Sequence, residues 1–202
     1  MTIVTDRPVD TNYEAASRAM IDSQLRTSGV NTPFVLDRMR AVSREQFVPD
    51  KLKSVAYMDR AVPLGDGRFL AAPLFYGRML EEAAPRAEDE VLVVSGGSHY
   101  VAELVRPLVA ALDVMQPDEA VKSGRRRGDY TLLLIDGAIE ELPDTLAGRL
   151  ADNARIATGL VTRGVTRLAA GRKAAGEVAL VPLAEMGIPI LPEFAAPKGW
   201  AF

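Results

Sequence analysis

The fold is decided by the stretch Glu90-Val-Leu-Val-Val-Ser-Gly-Gly-Ser-His-Tyr100. Its first part is a continuous apolar run ending at Ser95, which is typical of a strand covered on both faces in a parallel sheet. The pair Gly96–Gly97 then turns the chain into a helix that we expect over residues 98–106. A doubly wound α/β fold places its ligand-binding turn between the first strand and the first helix. A tight turn without a ligand has the same pattern, so the turn alone does not establish a binding site.

Further strands and one helix are predicted downstream of this turn. Strands are predicted at residues 108–113, 130–136, 154–162, 165–171 and 177–183, and a helix at residues 142–150. Strands that alternate with helices indicate a right-handed parallel sheet. The last strands are closely spaced, which favours an antiparallel hairpin at the end of that sheet.

The first half of the chain is predicted to be helical. One helix is expected over residues 13–28, where Gly29 stops it. A second opens at Thr32-Pro33, a third occupies residues 73–84, and a Gly/Pro-rich loop at residues 63–67 separates these two. We therefore expect a single domain, with a helical cap over residues 1–84 and a sheet core over residues 85–202.

The composition excludes several classes of protein. The chain has 202 residues, no cysteine, one histidine (His99) and a formal net charge of −3. Disulfide scaffolds and cysteine-ligated metal sites are excluded, no metal site is predicted, and the acidic balance argues against nucleic-acid binding. No apolar run reaches the roughly 20 residues of a membrane span, and Asp6 and Asp10 argue against a signal peptide. We expect a cytoplasmic protein that does not act at a membrane.

Several motifs resemble one enzyme family in the right order along almost the whole chain. They are Ala19-Met-Ile-Asp-Ser-Gln-Leu-Arg26, Ala41-Val-Ser-Arg-Glu-Gln-Phe-Val-Pro49, Asp59-Arg-Ala-Val-Pro-Leu-Gly65, Leu134-Ile-Asp-Gly-Ala138 and Leu191-Pro-Glu-Phe194 with Pro197 and Phe202. Together they resemble the protein-L-isoaspartate O-methyltransferase family. The resemblance implies a Rossmann-like fold that binds S-adenosylmethionine (SAM), here shortened. It also implies methylation of isoaspartyl carboxylates in damaged proteins, so that the partner is a protein or peptide.

The chain departs from the family at the glycine turn. Against the family motif, Val93 replaces an acid that helps to hold the cofactor, while Ser95 and His99 replace glycines. A lost charge-assisted hydrogen bond costs about 1.5–3 kcal/mol, and a glycine lost where the backbone needs positive φ costs about 1–2 kcal/mol at each of the two positions. Their sum of about 4–7 kcal/mol would turn micromolar affinity into millimolar. The ring of His99 is expected to fill the space of the cofactor's tail.

The second departure is a missing unit after the second predicted strand. Only sixteen residues separate Asp113 from Tyr130, so a βαβ unit of roughly 30 residues is lost or reduced to a loop. Asp113 matches the acid that would bond the ribose in the family, but without a wall for the adenine we expect it to face solvent or cap a turn. The second strand becomes an edge, which residues 121–127 could cover or a second copy could pair with to form a homodimer.

Two further positions complete the predicted site. Ala71 stands where the family has a serine near the reacting carboxylate, and no other catalytic residue is predicted. Arg68 in the same loop could hold a carboxylate, although pairing with Asp66 or another neighbour is the simpler expectation. Asp136 lies at the carboxyl end of a central strand, where open α/β sheets bind ligands. The predicted cofactor-binding set, in vestigial form, is Ser95, Gly97, Asp113 and Asp136.

Three functions remain open from the sequence. The first is a degenerate member of the family with impaired or lost SAM binding, retained as a binding or assembly protein. The second is a working carboxyl methyltransferase with a rebuilt pocket. The third is an enzyme of different chemistry that uses Asp136 or His99.

Overall fold

A computed structural model describes residues 12–122 and 129–196 of the chain. The helices are α1 (Tyr13–Met20), α2 (Pro33–Ala41), α3 (Pro73–Ala83), α4 (Tyr100–Val105), α5 (Pro117–Ala120) and α6 (Asp144–Ala147). The strands are β1 (Val62–Gly65), β2 (Arg68–Leu70), β3 (Glu90–Val94), β4 (Ala111–Met115), β5 (Tyr130–Ile139), β6 (Leu150–Thr162), β7 (Val165–Ala174) and β8 (Glu177–Glu185). After Met20 the first helix continues as a π-turn and a 3₁₀ turn, and it ends, as predicted, at Gly29, whose φ is 85°.

The main sheet has six strands in the order β4-β3-β5-β6-β7-β8. Its first four strands are parallel, and β7 and β8 are added as antiparallel neighbours. The predicted α/β class with a mostly parallel central sheet is therefore confirmed. No further strand lies between β4 and β5 among the described residues, and β4 lies at the edge of the sheet. Most of the loop expected to cover this edge, including Arg125–Arg127, is outside the described residues, and the homodimer stays a prediction.

Three predicted elements differ from the structure. The loop at residues 63–67 is the tip of a hairpin in which β1 and β2 pair as a separate two-stranded sheet. The second strand begins at Ala111 because Pro107 lies in a 3₁₀ turn. The helix over residues 142–150 shrinks to the single turn α6, since β6 begins at Leu150, which pairs with Tyr130 at the start of β5.

Two apolar layers cover the main sheet. The larger layer is formed by the N-terminal helices, α3 and α4, and contains fully buried aromatic side chains such as Phe75, Tyr76 and Tyr100. The smaller layer packs α6 and the segment around Phe194 against the opposite face. No helix among the described residues has both the length and the apolar character needed to span a membrane.

A buried ion pair ties β6 to the start of β3. The side chains of Arg155 and Asp89 are 11% and 5% exposed, and one guanidinium nitrogen of Arg155 contacts an Asp89 oxygen. The other terminal nitrogen donates to the carbonyls of Ala83 (2.8 Å) and Ala84 (2.5 Å) at the end of α3. Burial raises the pKa of Asp89, but hydrogen bonds from Arg155, Thr131 and a backbone N–H outweigh it and lower the pKa overall. A helix, a strand and a loop thus meet at one arginine.

Candidate functional site at the glycine turn

The turn after β3 is held together by its own serine. Ser95 is buried, its hydroxyl donates to the carbonyl of Ser98 (3.0 Å), and it accepts from the N–H of Gly97 (3.1 Å). Gly97 has a φ of 119°, in the region that favours glycine, whereas Ser95 and His99 do not have positive φ. The expected strain cost of the two replaced glycines is therefore wrong, because neither replacement adopts a left-handed backbone. The loss of the family's acid at Val93, a buried strand residue, remains a difference from the family motif.

The β1–β2 hairpin contacts the turn at Gly97, which stays exposed. A methyl group added to Gly97 would lie 2.5 Å from Cβ of Arg68 and 3.5 Å from a methyl carbon of Leu64. His99, whose ring we expected to fill the space of the cofactor's tail, is exposed at the start of α4, and this expectation stays a prediction.

Arg68 pairs with a distant glutamate. Its Nη1 donates to Oε2 of Glu193 (3.2 Å) and its Nη2 donates to Oε1 of the same carboxylate. The expected pairing with Asp66 is wrong, because the guanidinium points away from the hairpin tip toward the C-terminal segment that carries Glu193. Hydrogen bonds from Arg68 lower the pKa of Glu193, so the pair is charged at neutral pH.

The close fit between Arg68 and the turn leads to a prediction about stability. We expect Gly97→Ala to lower the free energy of unfolding by about 1–2 kcal/mol from backbone strain and further through its contact with Arg68. Gly65→Ala is the matched control, because Gly65 has a similar φ of 111° with nothing within 4 Å of the added carbon. Urea unfolding measures both variants. Equal losses of unfolding free energy in the two variants would show that Arg68 does not pack against Gly97.

Asp113 lies in the middle of β4 rather than at its carboxyl end. It pairs with Leu92 of β3, and the strand continues for two more residues to Met115. Its side chain is exposed, as expected, and accepts a hydrogen bond of 2.6 Å from the hydroxyl of Tyr130. The structure therefore does not bring Asp113 together with Ser95, Gly97 and Asp136.

Asp136 is buried beneath the glycine turn. Its backbone carbonyl and carboxyl group lie nearest to the position that a Cβ atom on Gly96 would occupy. Neither carboxyl oxygen has a partner at good hydrogen-bond geometry. Burial raises the pKa of Asp136 to about 7, although the hydroxyl of Tyr76, the N–H of Gly96 and the charge of Arg44 lie near enough to oppose the rise. This carboxyl group is therefore divided between its neutral and charged forms near pH 7.

A fully buried arginine accompanies this acid. Arg44 donates from Nε to the carbonyl of Ala56 (2.8 Å) and from Nη2 to that of Ala71 (2.8 Å). Its Cζ atom lies 5.5 Å and 5.0 Å from the ring centroids of Tyr76 and Tyr100. A guanidinium over aromatic faces is stabilised by cation–π attraction. Sequence analysis missed Arg44, Tyr76 and Tyr100 as members of this cluster.

The alanine at the family's serine position is part of the same cluster. Ala71 is buried, and its N–H donates to the hydroxyl of Tyr76 (3.0 Å). Both backbone groups of Ala71 are thus hydrogen-bonded to buried side chains, since its carbonyl accepts a hydrogen bond from Arg44. The side chain of Ala71 offers no hydroxyl to a substrate carboxylate, because a methyl group stands where the resemblance implies a serine.

Four cavities stand out in the described part of the chain, and none is lined by Ser95, Gly97, Asp113 or Asp136. The largest, of about 530 Å³, lies between two segments, residues 69–75 and residues 186–189. Its walls are mainly apolar, with Phe69, Phe75 and Ile188 among them. Within residues 12–122 and 129–196, no cluster of three acidic, histidine or cysteine side chains could hold a metal ion.

Comparison with known proteins agrees with this architecture. The family description "Protein-L-isoaspartate(D-aspartate) O-methyltransferase (PCMT)" matches residues 15–119. A protein-L-isoaspartate O-methyltransferase of Methanoculleus marisnigri is 28% identical over 206 residues, which covers 90% of this chain and 92% of the relative. One from Methylorubrum extorquens is 42% identical over 98 residues, or 48% of this chain and 42% of the relative.

A solved structure shows the same fold at low identity. It is a putative protein-L-isoaspartate O-methyltransferase from Plasmodium falciparum in complex with S-adenosyl-L-homocysteine. Its TM-score is 0.70 at 14% identity, with 90% of this chain and 99% of that chain covered. The family match spans more than half of the chain. The chain therefore belongs to the protein-L-isoaspartate O-methyltransferase family, whose cofactor is S-adenosylmethionine and whose substrates are proteins with isoaspartyl residues.

Proposed function

We propose that this chain is a non-catalytic member of its family, which has lost useful SAM binding and acts by binding a protein partner. The observation that carries the proposal is the contact between the hairpin and the glycine turn. Arg68 and Leu64 lie within contact distance of a side chain that Gly97 would carry, and so narrow the space on the side of the turn where we place the cofactor's methionine end. The residues present at this turn do not fit SAM, and we derive no reaction step through it.

Three other observations support the loss of the cofactor. Val93 offers no charge to an ammonium group, because a buried valine stands where the family has an acid. Asp113 is bound by Tyr130 and lies two residues before the end of β4. The missing unit between β4 and β5 removes the wall that the resemblance assigns to the adenine.

The chemistry of the family explains why these changes matter. Methyl transfer from a sulfonium to a carboxylate asks little of side chains, and its rate depends mainly on holding the two reactants in line. A chain that does not hold the methyl donor therefore cannot compensate with a residue such as Asp136. Ala71 is a further obstacle to methyl transfer, since its side chain has no hydroxyl that could orient the substrate's carboxylate.

A binding role is supported by the apolar cavity beside the hairpin. Its volume of about 530 Å³ is within the usual range of about 300–1,000 Å³ for ligand sites. It adjoins Ala72, the residue after the family's serine position, and so lies next to the region that the resemblance assigns to the protein substrate. We therefore take a protein or peptide as the partner.

Isothermal titration with SAM and with S-adenosylhomocysteine tests the proposal. We expect a Kd weaker than about 1 mM for both ligands, that is, a binding free energy smaller in magnitude than about 4 kcal/mol. The Plasmodium falciparum protein, crystallised with S-adenosylhomocysteine, is the positive control. A Kd below about 50 μM would refute the proposal and favour an active methyltransferase with a rebuilt pocket.

A further inference from the structure

The face of the main sheet that carries the smaller apolar layer is only partly covered. The elements packed on it are single turns: α5, α6 and the 3₁₀ turn Pro192–Phe194. Beyond them, a groove of about 460 Å³ lies over the β6–β8 side of the sheet. Its apolar lining consists mainly of half-buried leucine and valine side chains, namely Leu142, Leu160, Val178 and Leu180. We call it the β8 groove.

The rim of the β8 groove carries only negative charge. Four exposed carboxylates line it, and no lysine or arginine does: Glu140, Glu141, Asp144 and Glu177. None of the four forms an ion pair within residues 12–122 and 129–196. Two bases on the neighbouring strand β7 are engaged elsewhere. Lys173 donates to the carbonyls of Ala147 (3.1 Å) and Leu150 (2.7 Å), and Arg167 pairs with Glu185.

The width of the groove fits a helix. Its apolar walls stand on β6 and β8, which are separated by one strand and are therefore about 10 Å apart. An α-helix with its side chains is about 10–12 Å wide. A helix with one apolar face can bury that face in such a groove while its polar face stays in water.

We propose that the β8 groove binds a basic amphipathic helix of a partner protein. The apolar face of that helix lies against the leucine and valine side chains, and its lysines or arginines meet the carboxylates of the rim. The choice of occupant rests on charge complementarity, because four acids without counterions attract a basic segment and repel an acidic one. The groove shares no residue with the cavity beside the hairpin. It is therefore a second interaction surface, and the inference goes beyond the proposed function.

A labelled model helix tests the proposal. The reporter is a fluorescein-labelled peptide of about 14 leucine and lysine residues, with its leucines on one face of a helix. Fluorescence anisotropy measures its binding to the full chain, and we expect a Kd of about 10–100 μM. The control peptide has glutamate in place of every lysine, and we expect it to bind at least about tenfold more weakly.

Paired variants locate the binding. Leu180→Gln should weaken binding of the lysine peptide about tenfold, because it removes apolar contact area. Its control is Val181→Gln, since Val181 is the next residue of β8, is 57% exposed and points to the opposite face of the sheet. Glu177→Gln at the rim should weaken binding about threefold. Its control is Glu88→Gln, which removes the same charge from an exposed residue outside the groove.

Three results would overturn the proposal. The first is equal binding of the lysine and glutamate peptides, and the second is an equal loss within either pair of variants. The third concerns residues 197–202, which lie outside the described residues and include Lys198, Trp200 and Phe202. They follow Ala196, whose N–H donates to Glu140 (2.8 Å) at the rim. Binding that appears only when both aromatic residues are replaced by alanine would show that the chain fills its own groove.

The outcome is independent of the cofactor. Tight binding of SAM by the parent would overturn the proposed function and leave the peptide result unchanged, because no residue of the glycine turn lines the β8 groove. The two failures are therefore distinguishable.

Discussion

Asp136→Asn is expected to stabilise the folded chain by about 4 kcal/mol at pH 8. The parent must hold a charged carboxylate there in a fully buried position, where its pKa is about 7 instead of the ordinary 3.8. At 1.36 kcal/mol for each pH unit, that difference amounts to about 4 kcal/mol. Asparagine has the same shape and carries no charge, so the cost of burying the ion disappears.

The sign of the pH dependence follows from proton binding. Between about pH 4 and pH 7 the folded parent holds a proton on Asp136 that the unfolded chain has lost, so stability falls as the pH rises through this window. Above pH 7 both states are ionised and the loss is complete. Burial raises the pKa values of the facing Tyr76 and Tyr100 above their ordinary value of 10, so neither phenol titrates in this window.

Urea unfolding at pH 5, 6, 7 and 8 checks this prediction. The stability of the parent should fall across the series relative to that of the variant. Asp113→Asn, which changes an exposed carboxylate in β4, is the control for the removal of an acid outside the core. Parallel profiles for the parent and Asp136→Asn would mean that the buried carboxyl group does not titrate in this range.

Arg155→Met is expected to destabilise the fold by about 3–5 kcal/mol, the usual result of leaving one partner of a buried ion pair alone. Asp89 is only 5% exposed and would lose its counterion. The carbonyls of Ala83 and Ala84 would also lose their donor. The free energy of unfolding from urea titration at pH 7 is the measurement.

Two controls separate the pair from a general effect of the substitution. Adding Asp89→Asn to Arg155→Met should restore part of the stability, because the uncompensated charge is removed. Arg167→Met removes the arginine of an exposed pair with Glu185, and should cost no more than about 1 kcal/mol. If Arg155→Met and Arg167→Met cost the same, the pair does not stabilise the fold.

The two central strands of the sheet were predictable because their local pattern and their position in the fold agree. The apolar runs of β3 and β5 have no polar alternation, and the structure buries both strands on two faces at the centre of the sheet. The hairpin tip and the short α6 were missed for a different reason. Gly65 and Gly67 signal a turn but not the pairing of its flanks, and the length of α6 is set by where β6 begins.

The site was less predictable, since its decisive contacts join distant positions. The pairing of Arg68 with Glu193 spans 125 residues, and nothing in the local sequence of either residue specifies the other. Arg44 was quoted only as part of a family motif, because a charged side chain in a sequence normally indicates a surface position. Its complete burial depends on two carbonyls and two aromatic rings that only the folded chain brings together.

The two carbonyls that Arg44 binds lie on either side of the hairpin, at Ala56 and Ala71. One side chain therefore closes the loop that carries the hairpin, much as a covalent crosslink would in a secreted protein. In a chain without cysteine, this guanidinium holds the two ends of the loop together by hydrogen bonds, which a reducing agent does not break.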